Sequence, residues 1–373
     1  MKLIFQYNKL AFLSCLVVVM IITSCSNNNF QKSNTPTKSL EVPIDVSDSS
    51  LSLTPTLTAI KTITATPIFD ISTPVPDPLT FTLPTPGAVP VSSWRPPLYP
   101  VPWALAEFDH FYFTRPVLAD EVNWPLPFYR YGNVEFGDDR PHTGVDIVAP
   151  VGTPIKATGS GTVVWAGYGL FYGYEEPEDP YGLAIAIEHD FGFDGQPIYT
   201  AYAHLSEINV ERGERVQIGE IIGKSGQTGN VTAAHLHFEV RVGANDYFHS
   251  VNPELWTSPP QGWGVLVGRV MSSGSALLYS QEIRITSLAT GRKWFVQSYG
   301  TTEVINRDAN YRENFVLSGL PAGEYEIFIP NSGYEHRFGI HIIPGAVTFF
   351  TYRGFNGFST AKPLGILPDN IPE

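Results

Sequence analysis

Ala234-His235-Leu236-His237-Phe238-Glu239-Val240 decides the fold of its part of the chain. Apolar and polar residues alternate strictly, which is the period of a β-strand and not of a helix. Leu236, Phe238 and Val240 then face a core, and His235, His237 and Glu239 face the other way. Two imidazoles directed into one space suit a metal site or an acid/base pair.

Working outward, the same short-period pattern recurs. Ile155 to Val164, Ala184 to His189, Tyr199 to Leu205, Arg215 to Gly223 and His235 to Val242 read as strands separated by Gly and Pro turns. An aromatic cluster between Pro96 and Phe113 marks where order should begin, and no long 3.6-residue period appears before Pro253. Residues 96–258 therefore read as an all-β domain, an antiparallel sheet with a barrel-like closure.

Two other elements inside it carry candidate chemistry. In His142-Thr143-Gly144-Val145-Asp146 an extended backbone puts His142 and Asp146 on one face, and Gly144 adds no side chain between them. In Tyr202-Ala203-His204-Leu205 an unbroken strand would put Tyr202 and His204 on a shared face. His142, Asp146 and one histidine of the later pair make three N/O donors, the number a catalytic zinc site takes from its protein. Zinc lowers the pKa of a bound water to about 7 and polarises a carbonyl. With no His-Glu-x-x-His helix to supply a base, the remaining histidine of the pair and His204 are the candidates for proton transfer.

These motifs resemble the lysostaphin-type (LytM-like) zinc endopeptidases of bacterial cell walls. The resemblance runs from about Trp124 to Pro253 and rests on several motifs in one order. They are His142-x-Gly-x-Asp146 with Gly152-Thr153-Pro154-Ile155, Gly161-Thr162-Val163, Tyr202-Ala203-His204-Leu205, Gly213 with Val216, Gly219 to Gly223, Gly226 to Gly229, and His235 to Glu239. It implies that His142, Asp146 and His237 bind one Zn2+ ion and that His204 and His235 are the catalytic histidines; which of the two is the base stays open. The implied activity is hydrolysis of peptide bonds in peptidoglycan cross-links or stem peptides by metal-activated water. The alternative is a non-catalytic wall-binding module, or an activator of a partner hydrolase, as in relatives that have lost metal ligands. Two features depart from the family pattern. Asn230 to Ala234 replaces the glycine common before His-x-His, and Tyr168 to Tyr181 is an insertion rich in Tyr and acid, including Glu175, Glu176, Glu178 and Asp179. The insertion reads either as a groove wall for cationic stem-peptide amines or as a solvated surface loop. Glu239 could orient a site histidine or be a plain structural residue, and His189 reads as a satisfied structural histidine.

The N-terminal part gives an address. Lys2 and Lys9 precede an apolar run, Leu10 to Ile22, that is short for a membrane span and ends in Ile22-Thr23-Ser24-Cys25. That tetrapeptide resembles the lipobox of bacterial lipoproteins. It implies a signal peptide over residues 1–25, lipidation of Cys25, export, and attachment to a membrane on its extracytoplasmic face. Cys15 lies in the apolar run, so the exported part has no cysteine for a disulfide, a thiolate nucleophile or a zinc–thiolate site. Residues 26–95 are rich in Ser, Thr, Pro and Asn and read as a disordered tether. The net charge of -13 argues against nucleic acid as a partner.

Pro259-Pro260-Gln261-Gly262 reads as a boundary. Beyond it, Val265 to Val270, Ile283 to Thr286, Lys293 to Ser298, Tyr311 to Leu317, Tyr325 to Ile329, His341 to Ile343 and Val347 to Tyr352 read as short strands of a β-sandwich over residues 262–353. Phe315 to Tyr325 resembles the strand-turn-strand of carboxypeptidase-regulatory-like or Ig-like sandwiches. No catalytic constellation appears there, so spacing, wall binding or stabilisation is its expected role. Residues 354–373 read as a loose tail.

Overall fold

The computed structural model is described over residues 97–117, 129–133, 140–300, 302–331, 334–361 and 363. The expected signal peptide with Cys25, the tether, and Trp124 lie outside these residues. The described part is built almost wholly of β-strands, as the sequence predicts. In chain order they are β1 (Val145–Val148), β2 (Pro154–Lys156), β3 (Gly161–Gly167), β4 (Leu183–Phe193), β5 (Gln196–Ile208), β6 (Arg215–Val216), β7 (Ile221–Ser225), β8 (His235–Val242) and β9 (Ser250–Val251). A one-turn helix, α1 (Pro253–Trp256), follows. Then come β10 (Trp263–Met271), β11 (Glu282–Ser287), β12 (Lys293–Gln297), β13 (Phe315–Pro321), β14 (Gly323–Asn331), β15 (Tyr334–Ile342), β16 (Val347–Arg353) and β17 (Phe358–Ser359).

The first nine strands form one sheet with the path β1-β8-β5-β4-β3-β6; β7 joins β5 and carries β2, and β9 joins β8. All its pairings are antiparallel. The run expected as one strand over 155–164 is two strands, broken at the turn before Gly161. The run over 215–223 divides in the same way into β6 and β7. Leu236, Phe238 and Val240 of β8 are fully buried in one core with Val145, Ile147, Tyr202 and Leu205. The opposite face carries the polar residues of β8 and a smaller cluster of Leu170, Tyr181, Ala184, Ala186, Ala201 and Ala203. Small side chains there let the chain from Leu170 to Tyr181 lie close over the sheet.

The C-terminal strands make two four-stranded sheets, β13-β10-β16-β17 and β12-β11-β14-β15, packed on a common core. Pro321-Ala322-Gly323 carries the chain from one sheet to the other, so Phe315 to Tyr325 is a crossing and not a hairpin. The strand expected from Tyr311 begins only at Phe315. Tyr311 and Arg312 sit in a turn over Asp308, with Arg312 at a φ of 49°. Within the expected loose tail, β17 extends the first sheet, and Phe358 packs against the sandwich core.

The first sandwich sheet is buried on both faces. Along β10, Leu266 and Val270 enter the sandwich core, while Val265 and Val267 enter the core of the nine-stranded sheet. β16 divides likewise, Phe350 and Tyr352 going one way and Phe349 the other. This two-sided burial explains why β10 reads Trp-Gly-Val-Leu-Val-Gly-Arg-Val-Met, a nearly continuous apolar run, instead of an alternating one.

Candidate metal centre

β8 sits between β1 and β5, and its register brings the candidate residues together. Asp146 of β1 lies opposite His237, and Ala203 of β5 lies opposite His237 on the other side. Directly paired residues share a face, so Asp146 and His237 project to the same side. His142 arrives from the segment before β1. A Cβ on Gly144 would stand 2.5 Å from the Phe238 carbonyl oxygen and 2.9 Å from His237 Cε1, so glycine is what allows this segment to close on β8.

The result is a tight triangle. His142 Nε2 lies 3.0 Å from Asp146 Oδ1 and 3.0 Å from His237 Nδ1, and His237 Nδ1 lies 3.0 Å from Asp146 Oδ1. The hydrogen bonds on the far side of each ring fix the tautomers. His237 Nε2–H donates to Glu239 Oε1 at 2.9 Å, and His142 Nδ1 faces the Arg130 carbonyl oxygen at 3.3 Å. In the neutral rings both inward nitrogens are then lone pairs facing each other and a carboxylate. Such a set is repulsive without a cation or proton among its members, which fits a shared metal ion.

Electrostatics point the same way. Burial pushes the Asp146 carboxyl up, but His142 and His237 overcome this and hold it well below the usual carboxylate range. Burial pushes His237 down, yet its hydrogen bonds to Asp146 and Glu239 raise it to about 9. The centre therefore favours a positive charge.

His204 and His235 border the triangle. The two rings are 4.8 Å apart, and His204 is 5.7 Å from the ring of His237. His235 Nε2 lies 3.4 Å from Asp146 Oδ2. Each ring is anchored through Nδ1, His204 to the Thr228 carbonyl at 2.9 Å and His235 to the Ala233 carbonyl at 2.8 Å. Both therefore keep Nε2 for the space beside the donors. Burial first, then the imidazoles of His237 and His235, push His204 down to about 3, so it is neutral near pH 7.

The expectation that Tyr202 and His204 share a face is overturned. Tyr202 points into the main core, bonded to Thr158 and packed on Phe238. His204 has a φ of 63°, a left-handed backbone that breaks the alternation of β5 and swings its ring to the side of His237. A single non-glycine residue of this kind leaves no periodic signal in a sequence.

Other residues acquire clear places. Glu239, fully buried, also accepts from Thr143 Oγ1, Tyr181 OH and Arg241 Nε, so Tyr181, Thr143 and Arg241 back the His237 ring. The sequence singled out Glu239 but not its three partners; the Tyr181 and Thr143 contacts are long-range, and Arg241 lies two residues along the same strand. Of the four acids in the Tyr168–Tyr181 insertion, Asp179 is buried and accepts from the backbone of Phe171, Tyr172 and Tyr181, so it is occupied with shaping the loop. Tyr172 and Tyr174 remain exposed and stack on each other at 5.7 Å. His189 is buried and bonded to the Ser160 carbonyl and Thr200 Oγ1, a structural histidine.

Comparison with known proteins gives this geometry a family. The model of Peptidase family M23 matches residues 140–253, which span all five histidine and aspartate positions above. Residues 140–253 belong to peptidase family M23. The M23 domain is 40% identical over 103 residues to the peptidoglycan DD-endopeptidase ShyA of Vibrio cholerae, covering 27% of this chain and 20% of that one. It is 43% identical over 112 residues to the glycyl-glycine endopeptidase ALE-1 of Staphylococcus capitis, covering 30% of this chain and 28% of that one. The catalytic domain of lysostaphin from Staphylococcus simulans is 37% identical, covering 34% of this chain and 86% of that chain, with a TM-score of 0.29. The chain thus spans between a fifth and somewhat over a quarter of the length of these two curated relatives.

Proposed function

We propose that this chain is a zinc-dependent endopeptidase that cleaves peptide bonds in peptidoglycan cross-links or stem peptides. His142, Asp146 and His237 would hold one Zn2+ ion, and His204 and His235 would carry protons. The observation that carries this is the convergence of three inward lone-pair donors with two further imidazoles that both present Nε2. When bound, zinc supplies Lewis acidity that activates water and polarises a carbonyl.

The chain's own residues supply the rest. Glu239 and the Arg130 carbonyl keep the His237 and His142 rings turned to the ion. The Thr228 and Ala233 carbonyls hold His204 and His235 as acceptors when neutral and as donors once protonated. A proton taken from water at a neutral Nε2 can thus be given from that same Nε2 to the leaving amine, which returns the ring to its neutral state. No serine or cysteine nucleophile belongs to this constellation, so the reaction proceeds without an acyl-enzyme. The names of the two curated relatives specify different bonds, a DD-peptide and a glycyl-glycine bond. The proposal therefore covers the peptide part of the wall as a class. A lipid on Cys25 would tether the exported enzyme to the membrane.

The test is incubation of the purified chain with cell-wall material of several cross-link chemistries, with and without a chelator. Newly freed amines are read by mass spectrometry. Chelator-sensitive release is expected. Wall binding without any such release would replace the enzyme by a docking module.

A further inference from the structure

We propose that the C-terminal β-sandwich is a working part of the metal centre. It acts through a five-residue strap, Tyr129 to Asn133, that positions His142 and Asp146. The inference rests on the assignment of these two residues as metal ligands.

The front of the strap is main chain. Asp146 N donates to the Tyr129 carbonyl at 3.0 Å, and His142 N donates to the Asn133 carbonyl at 2.8 Å. Gly132 N donates to the His142 carbonyl at 2.7 Å, and the Arg130 carbonyl faces His142 Nδ1. Two of the three donor residues therefore take their backbone position, and one its ring orientation, from this strap.

The back of the strap is gripped by the sandwich and its connection. The Arg130 guanidinium reaches both oxygens of Glu254, which lies on α1 between the two parts. Glu254 Oε2 in turn accepts from Ser318 N at 2.8 Å and from Ser318 Oγ, both on β13. Tyr131 OH accepts from Asn306 N at 2.8 Å, and its ring meets Tyr299 edge-on at 5.6 Å. Gly132 has a φ of 78°, and a Cβ there would stand 2.4 Å from Tyr299 Cβ. Glu254 is fully buried, and Arg130 and Tyr131 nearly so.

A sandwich that served only as a spacer or wall-binding module would leave this strap anchored within the M23 domain. Here the Arg130–Glu254 ion pair is carried on to β13 through Ser318, Tyr131 OH is shared between the Ser250 carbonyl of β9 and Asn306 N, and Gly132 packs on Tyr299, so the C-terminal part supplies a share of the grip on the strap. Glu254, Ser318, Tyr131 and Tyr299 are positioning residues: they touch no substrate and act through the strap on His142 and Asp146.

The test is zinc affinity of the whole chain, measured by competition with a chromogenic chelator at a temperature where every variant is folded. Glu254→Gln and Tyr131→Phe should weaken zinc about 10- to 100-fold, as loss of groups that orient ligands does. Ser318→Ala should weaken it less, and Ser318→Thr should restore it. Ile327→Ala, in the sandwich core away from the strap, should lower the melting temperature with zinc affinity unchanged. If the parent chain binds no zinc, the ligand assignment falls and the inference with it. If the parent binds zinc and the strap variants bind it equally well, the ligands stand and the inference is overturned. Equal weakening by Ile327→Ala also overturns it, because general loosening would then account for the effect.

Discussion

Glu239 offers the sharpest separation of stability from metal binding. Its Oε1 accepts from His237 Nε2, Thr143 Oγ1 and Tyr181 OH, and its Oε2 accepts from Arg241 Nε at 2.7 Å. Burial pushes its carboxyl up, but Arg241 and then His237 hold it well below the usual range, so it is ionised. In Glu239→Gln the amide oxygen satisfies the three donors, which leaves the amide NH2 facing Arg241 Nε–H, donor against donor. The fully buried Arg241 then loses its counter-charge. Breaking a buried pair by removing one partner costs about 3–5 kcal/mol. For a protein of this size that lowers the melting temperature of the metal-free form by on the order of 10 °C. His237 keeps its acceptor, so zinc affinity should change only a few-fold. Glu239→Leu removes that acceptor too, frees the His237 tautomer and should weaken zinc about 10- to 100-fold. Calorimetry of the metal-free variants and chelator competition check the two halves separately. A Glu239→Gln protein that melts within about 2 °C of the parent, or a Glu239→Leu protein that binds zinc as the parent does, would refute the reasoning.

Three further outcomes are expected. His204→Asn, which tolerates the left-handed backbone, should lower wall-peptide turnover about 10²- to 10⁴-fold while zinc affinity stays near parental; full turnover removes His204 from the mechanism. Burial pushes His189 down to about 4 from an ordinary 6.5, so the unfolded chain takes up a proton that the folded one refuses. Its contribution is therefore full above pH 6.5 and is lost toward pH 4, by about 3 kcal/mol, and denaturant titrations of His189→Gln should show a shallower fall in acid. Burial, reinforced by Asp308, pushes Glu313 up to about 8 from 4.5, so here the folded state keeps a proton that the unfolded chain loses. Its contribution is full below pH 4.5 and lost as pH rises through 8, so Glu313→Gln should be more stable than the parent at pH 9 and lose that advantage by pH 5, in thermal melts.

The sequence by itself determined the strand character of the described residues and named the side chains, His142, Asp146 and His237, that the fold brings together. β8 is legible because a strand with one face in a core must alternate, and Leu236, Phe238 and Val240 against His235, His237 and Glu239 do so without exception. Gly144 was legible for a similar reason, since a glycine between two converging side chains marks a close approach. His204 was legible as a residue but not as a geometry, because its positive φ is a single backbone event that no period records. The Tyr181 and Thr143 support of Glu239 was hidden because these contacts join residues 58 and 96 positions apart. The place of the sandwich was decided by the tertiary structure alone. Sequence shows a boundary at Pro259-Pro260 and two β patterns on either side. Only packing shows that Val265, Val267 and Phe349 complete the core of the first part. The link from β13 through Glu254 to the strap behind His142 and Asp146 appears only there as well. Alternation is a local consequence of backbone geometry and is written residue by residue. Which surface a buried face meets depends on shape and charge matching between distant segments, and that is written only in the folded whole.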